Sequence, residues 1–198
     1  MKTILSQPEK SKIKAMMSLP VVPLHIHWDG SVPAASIYNF YAKKNEHLFL
    51  PERDFFGNVI KYRGEGDRII DSPEKLMTFQ QDMRKYNITD VFLSSINMMQ
   101  TKEDLFAMAF AHCSYLRSQN TRFAETRFAP QYHTKAGLSI EEIISISLDA
   151  FQKAFEQTGV KVGLILSLDR GSDPVYTEDL VREFLKFEGR ILGIDLAC

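Results

Sequence analysis

The sequence contains few cysteines and no long apolar segment, and these two deficits exclude several classes of protein. Its two cysteines, Cys113 and Cys198, form no Cys-x-x-Cys pair, so neither a disulfide framework nor a thiolate zinc site is indicated. No segment approaches the ~18 apolar residues of a membrane span, and residues 1–18 are too polar for the apolar core of a signal peptide. We therefore expect no membrane partner and a cytoplasmic protein.

The chain also lacks an excess of either charge. Its 24 basic and 25 acidic residues give a net charge of -1, which offers no electrostatic reason to expect nucleic acid as a partner. Small molecules remain the expected ligands. With 198 residues, of which 44% are hydrophobic, the chain is long enough for one globular domain with a sizeable core. We expect residues 1–18 to form a lead-in and residues 19–198 to form that domain.

The stretch Leu24–Gly30 gives the strongest indication of a functional site. In an extended strand His25, His27 and Asp29 would share one face, and two imidazoles at positions i and i+2 can converge on a metal such as zinc. The histidines could instead simply alternate on a half-exposed surface strand. The apolar residues before them, and Trp28 as the only tryptophan of the chain, favour a buried strand with a site at its tip.

The rest of the chain alternates helix signals with strand-like segments. The strand-like segments, which are apolar or alternate between apolar and polar residues, are 122–130, 160–168 and 190–197. Residues typical of helix N-termini stand before or between them, namely Ser72, Thr101, Ser139 and Thr177. Strands that alternate with helices favour a parallel sheet that is covered by helices.

Polar residues recur near the C-terminal ends of these strands. They are His25, His27, Arg127, Asp169 and Asp195. In a (β/α) barrel the active face lies at the C-terminal ends of the parallel strands, so this placement predicts a site formed by several strands together.

Three polar residues in the middle of the chain are expected to be structural. Glu125 and Arg127 share one face of a strand, and if buried they must be paired, because an unpaired buried charge costs on the order of 3–5 kcal/mol. His112 lies on the helix that begins after Thr101 and has no second ligand at i±4. We expect it to be a hydrogen-bonded core histidine rather than a metal ligand.

Three of these stretches resemble motifs of one enzyme family. His25–Ser31 resembles the first metal-binding motif of the adenosine deaminases, within the amidohydrolase superfamily of zinc-dependent barrel enzymes. Ala124–Pro130 is similar to the second-strand motif of that family, and Gly193–Ala197 is similar to its fourth. The resemblance implies an α/β fold: the N-terminal half of a (β/α)8 TIM-type barrel, with about four parallel strands and their helices, incomplete in this chain.

The resemblance also implies the roles of particular residues. His25 and His27 would bind Zn2+, and Asp29 would hydrogen-bond the ribose 5′-hydroxyl of a purine nucleoside. Cys198 stands where the family has a glycine whose backbone contacts the purine. The remaining zinc ligands and the catalytic residues of the family are expected beyond Cys198. The implied reaction is hydrolytic deamination, adenosine to inosine plus ammonia, by the complete barrel, and we expect the 198-residue chain alone to be inactive.

Two other functions stay open. The chain could be a non-catalytic half-barrel that binds a metal or a partner, or that associates with another chain through its open sheet edges. It could also be a related deaminase of adenine, AMP or an N6-modified purine, because the His-x-His motif is shared widely across the superfamily. Asp29 favours a nucleoside over these bases and nucleotides.

Overall fold

A computed structural model describes residues 7–82 and 85–197, in which helices alternate with strands. The helices are α1 (Gln7–Ser18), α2 (Trp28–Ser31), α3 (Ala34–Lys43), α4 (Pro73–Gln81), α5 (Ile88–Ile96), α6 (Lys102–Ser118), α7 (Ile140–Thr158) and α8 (Pro174–Leu185). The strands are β1 (Ile26–His27), β2 (Leu48–Phe49), β3 (Ile69–Ile70), β4 (Phe123–Phe128), β5 (Lys161–Asp169) and β6 (Gly193–Ala197). Two 3-10 turns are formed by Glu65–Arg68 and Pro130–His133. No helix in the described ranges is both long and apolar enough to cross a membrane.

Four strands form one parallel sheet in the order β1-β4-β5-β6, and β2 and β3 form a separate antiparallel pair. In the parallel sheet His27 lies opposite Arg127, which lies opposite Ile165, and Ser167 lies opposite Asp195. Residues that are opposite each other in a sheet share a face, so these side chains belong to one face, here called the inner face. The prediction of an α/β fold with about four parallel strands is confirmed.

The opposite, outer face of the sheet carries the apolar core. Ala124, Phe128 and Leu166 on this face are fully buried. Helix α7 packs on β5, and α6 packs on α7. Trp28 is fully buried between Phe128 and Phe151, with ring centroids 5.1 and 4.6 Å away, so the residue that follows the two histidines anchors their strand to this core.

Three of the four predicted helix starts are observed. The side chains of three residues accept a hydrogen bond from the first turn of α4, α6 and α7, namely Ser72, Thr101 and Ser139. The prediction that Thr177 caps the next helix is wrong. Asp173 caps α8 instead, because its carboxylate precedes Pro174 and accepts hydrogen bonds from two free backbone N–H groups of the first turn.

Strands β1 and β6 are the two edges of the parallel sheet within the described residues. On the outer face of β6, Ile194 and Leu196 are 39% and 50% exposed, whereas Leu166 on the neighbouring strand is fully buried. Helices of the described ranges therefore cover β5 much better than β6. An edge strand with unpaired backbone groups and exposed apolar side chains tends to pair with another chain.

We expect a chain of residues 1–198 to associate in solution through these edges. Analytical ultracentrifugation should give a mass above the 22.7 kDa of one chain. Leu196→Lys should shift the population towards the monomer, because a charged side chain on an edge strand opposes further pairing. Val175→Lys, at a position that is 69% exposed on helix α8, is the control and should leave the mass unchanged. A monodisperse monomer of the unchanged chain would contradict the prediction.

Candidate functional site

The two histidines of the first motif lie side by side on the inner face at β1. The Nε2 atoms of His25 and His27 are 3.3 Å apart, and their ring centroids are 5.3 Å apart. Two nitrogens that each bind a tetrahedral zinc at 2.0–2.1 Å are about 3.4 Å from each other. Burial lowers the pKa of His27, which favours the neutral imidazole that binds metals. The donor atoms and their spacing therefore fit a zinc ion.

The strand ends earlier than the sequence suggests, so Asp29 does not share a strand face with the histidines. The backbone turns into the helical turn α2 at Trp28. Gly30 permits this turn to pack under α5, because a Cβ atom added at Gly30 would lie 2.5 Å from the ring of Phe92. The prediction of an extended strand through Asp29 is thus wrong. The turn places Asp29 in the protein interior, where it is 3% exposed.

Asp29 faces a second buried group that its motif does not contain. The Nε2 atom of His133 lies 3.9 Å from Oδ2 of Asp29, and His133 is fully buried. Neither Oδ1 of Asp29 nor Nε2 of His133 has a hydrogen-bond partner among the described residues. Buried polar groups are nearly always hydrogen-bonded, so these two atoms are unusual.

Arg127 connects the strand of the histidines to the opposite edge of the sheet. Its guanidinium donates to Oδ2 of Asp195 on β6 at 2.8 Å and to the carbonyl of Leu24, just before β1, at 3.0 Å. The hydrogen bond from Arg127 lowers the pKa of Asp195, although partial burial opposes this shift. Arg127 is 8% exposed, so its predicted pairing is confirmed. Glu125 is half-buried, and no ion pair or side-chain hydrogen bond is found for it within the described ranges.

His112 lies on the outer side of the sheet and is not part of this site. It is fully buried, and its two ring nitrogens lie 3.3 and 3.2 Å from the hydroxyls of Ser31 and Thr126. Burial lowers the pKa of His112 to about 4, so the ring is neutral at pH 7. The prediction of a hydrogen-bonded core histidine is confirmed.

A cleft of about 830 Å³ opens over the C-terminal ends of the strands. The polar residues that line it include four of the five predicted at the strand ends, His25, His27, Asp169 and Asp195. Asp29 also lines the cleft, whereas Arg127 is not among its lining residues. Its apolar wall is helix α5, through Ile88, Phe92 and Leu93, with Phe92 in edge contact with the ring of His27. A volume of this size accommodates a small organic ligand.

The described part of the site offers two candidate metal ligands, His25 and His27, rather than three. In residues 7–82 and 85–197 no group of three His, Cys, Asp or Glu side chains could hold a metal ion. Cys198, which the sequence places near a purine, lies outside the described residues. His25 and His27 are thus brought together as predicted, Asp29 stands behind them in the cleft wall, and His133 is an addition that the motifs did not reveal.

The sequence profile of the adenosine deaminase family matches residues 20–198. The chain belongs to the adenosine deaminase family. It is 31% identical over 185 residues to an adenosine deaminase of Clostridium botulinum (strain Loch Maree / Type A3), an alignment that covers 91% of this chain and 49% of that protein. An adenosine deaminase of Shewanella woodyi is 26% identical over 181 residues, with 91% and 50% covered. The chain thus spans about half the length of the curated relatives it matches.

Solved structures with the same fold also extend to about twice the length of this chain. A Burkholderia ambifaria amidohydrolase with bound Zn matches with a TM-score of 0.72 at 16% identity, over 100% of this chain and 48% of its own. Adenine deaminase from Arthrobacter aurescens gives a TM-score of 0.64 at 20% identity, over 90% and 49%. The Arabidopsis N6-mAMP deaminase gives 0.64 at 16%, over 93% and 52%. The expected fold, the N-terminal half of a TIM-type barrel, is confirmed, while the division into residues 1–18 and 19–198 stays a prediction.

We predict that Arg127→Leu lowers the free energy of unfolding by about 3 kcal/mol, because it leaves Asp195 without its partner and frees the carbonyl of Leu24. Urea-induced unfolding measures this loss. Arg182→Leu is the control, because Arg182 has a 67% exposed side chain and pairs only with the exposed acids of its own helix. Its effect should stay below about 1 kcal/mol. Equal effects of the two substitutions would refute a structural role of Arg127.

Proposed function

We propose that these residues form the first half of the active site of a zinc-dependent hydrolase that deaminates a purine nucleoside, adenosine to inosine plus ammonia. The observation that carries the proposal is the 3.3 Å separation of Nε2 of His25 and Nε2 of His27 at the mouth of the cleft. Membership of the adenosine deaminase family and the Zn bound to the Burkholderia ambifaria amidohydrolase support it. The chain covers about half of its relatives, so the activity is assigned to a complete barrel.

Each residue then has a defined task. His25 and His27 would hold zinc through their Nε2 atoms, and the bound ion would supply a nucleophile at neutral pH by lowering the pKa of water to about 7. Asp29 accepts a hydrogen bond from the ribose 5′-hydroxyl. The ring of Phe92 on α5 packs edge-on against the ring of His27 and covers one side of it. Cys198, outside the described residues, contributes its backbone to the purine contact.

The charges of the cleft favour a nucleoside over a nucleotide. Asp29 and Asp169 line it as carboxylates, and the charge of Asp195 is balanced by Arg127. Lys135 is a basic side chain that lines the cleft, and its Nζ donates to Oδ1 of Asn97 at the C-terminal end of α5. A 5′-phosphate placed beside the buried carboxylate of Asp29 would be repelled, whereas a hydroxyl donates to it.

A non-catalytic role is the second candidate, and one observation favours it. A catalytic zinc site normally has three protein ligands, and the described residues contribute two. A chain with only this half of the site would bind metal weakly and would serve as a binding or assembly module. The two candidate functions differ in whether the complete protein turns over adenosine.

We predict that zinc binding to this chain depends on both motif histidines. Isothermal titration with Zn2+ should show weak binding to residues 1–198, because two ligands leave most of the ion's coordination to water. The double variant His25→Ala, His27→Ala should lose this binding. His47→Ala is the matched control, since His47 is an exposed histidine outside the cleft. If the double variant still binds zinc, His25 and His27 are not the zinc ligands.

We predict that residues 1–198 alone do not deaminate adenosine, whereas the protein from the complete reading frame does so in preference to AMP and adenine. The absorbance change from adenosine to inosine measures the rate. Asp29→Ala should lower kcat/KM for adenosine by about 10- to 100-fold, because a hydrogen bond to a charged group is lost. Glu188→Ala is the control, because Glu188 is an exposed acidic residue that does not line the cleft. A complete protein that binds zinc but turns over no purine would favour the non-catalytic candidate.

A further inference from the structure

His133 is a buried histidine whose two ring nitrogens both face hydrogen-bond acceptors. It lies in the 3-10 turn Pro130–His133 directly after β4 and packs on the ring of Phe128 at a centroid distance of 5.4 Å. Its Nδ1 is 2.9 Å from the carbonyl oxygen of Met99, and its Nε2 is 3.9 Å from Oδ2 of Asp29. The ring is fully buried, so water does not compete for either nitrogen.

This geometry restricts where the hydrogens of the ring can be. A carbonyl oxygen only accepts, so Nδ1 of His133 must carry a hydrogen and donate it to Met99. Nε2 faces a carboxylate oxygen at 3.9 Å. A hydrogen on Nε2 as well would make the ring an imidazolium, whose charge the carboxylate of Asp29 would balance. His112 differs, because its nitrogens face the hydroxyls of Ser31 and Thr126, which can either donate or accept.

We propose that His133 is the positioning residue for Asp29: its Nε2–H donates to Oδ2 and holds the carboxylate so that Oδ1 accepts a hydrogen bond from the ligand. Oδ1 is buried and has no partner among the described residues, although Asp29 lines the cleft. The 3.9 Å separation must shorten by about 1 Å for a hydrogen bond to form. The proposal rests on the proposed function only in taking Asp29 as the contact of a substrate hydroxyl.

The short turn α2 explains why Asp29 requires an external support. Asp29 stands in a single helical turn of four residues, and its carboxylate has no hydrogen bond within the described residues that would fix its orientation. His133, in contrast, is held at Nδ1 by Met99 and at its ring face by Phe128. A rigid donor behind a less rigid carboxylate is the arrangement expected of a support for a ligand-binding group.

The first test is independent of activity. In the protein with 15N-labelled histidine, NMR should show Nε2 of His133 as a nitrogen that carries a hydrogen. In Asp29→Asn this nitrogen should become unprotonated, because the amide group can now donate to it. His112 serves as the internal reference and should not change between the two proteins. An unprotonated Nε2 of His133 in the unchanged protein would overturn the proposal, whether or not the protein deaminates adenosine.

The second test separates positioning from general stabilisation. In the protein from the complete reading frame, His133→Phe keeps a ring beside Phe128 but removes the donor, and it should raise KM for adenosine on the order of tenfold. KM for 5′-deoxyadenosine should stay unchanged, and so should KM for adenosine when His133→Phe is added to Asp29→Ala. His133→Gln, which retains an N–H donor, should recover part of the loss.

The control for the second test is the other buried histidine. His112→Gln should leave the ratio of the two KM values unchanged, because His112 hydrogen-bonds on the outer side of the sheet. If His133→Phe impairs both nucleosides equally, His133 is merely structural and the proposal fails. If the complete protein deaminates no nucleoside, the proposed function fails, while the NMR experiment still decides whether His133 pairs with Asp29.

Discussion

The candidate site depends on how a very short strand is held in place. Strand β1 pairs with β4 through two residues, Ile26 and His27, a ladder too short to fix a strand by itself. Arg127 adds the missing restraint, since one guanidinium binds the carbonyl before β1 and the carboxylate of Asp195 two strands further along. The placement of the two histidines therefore depends on a partly buried ion pair that makes no hydrogen bond to either of them within the described residues.

Alternate residues of the histidine motif face opposite sides of the sheet, one set towards the cleft and the other towards the core. His25 and His27 occupy the inner face, whereas Ile26 packs outward and Trp28 is fully buried against Phe128 and Phe151. A change of register by one residue would place a tryptophan in the cleft and a histidine in the core. The position of the two histidines is thus specified by hydrophobic packing on the other side of the sheet.

Periodicity and capping residues predicted the parallel strands, three of the helix starts and the pairing of the histidines. They failed where the structure depends on contacts between distant segments. The turn at Asp29 interrupts a formally alternating pattern, and it exists because Gly30 packs under Phe92 of α5. Helix α5 itself was not predicted, although Asn87 caps it and could have indicated its start. His133 had no motif to identify it, because its role depends on its distance from Asp29.

Buried polar atoms without a hydrogen-bond partner are more frequent at the candidate site than in the core. In the core, His112 and Ser147 have hydrogen-bond partners within the fold. Seven buried side-chain atoms have no partner in the described ranges. Two of them are Trp28 Nε1 and Ser95 Oγ, and the other five lie at the C-terminal end of the sheet: Asp29 Oδ1, Arg127 Nε, Gln131 Oε1, His133 Nε2 and Ser167 Oγ. Buried polar groups are nearly always hydrogen-bonded, so five unpaired atoms at one end of the sheet are unusual. Because Asp29, Gln131 and Ser167 line the same cleft as the two histidines, the free hydrogen-bonding capacity of these three side chains is best explained by the binding of a polar ligand there.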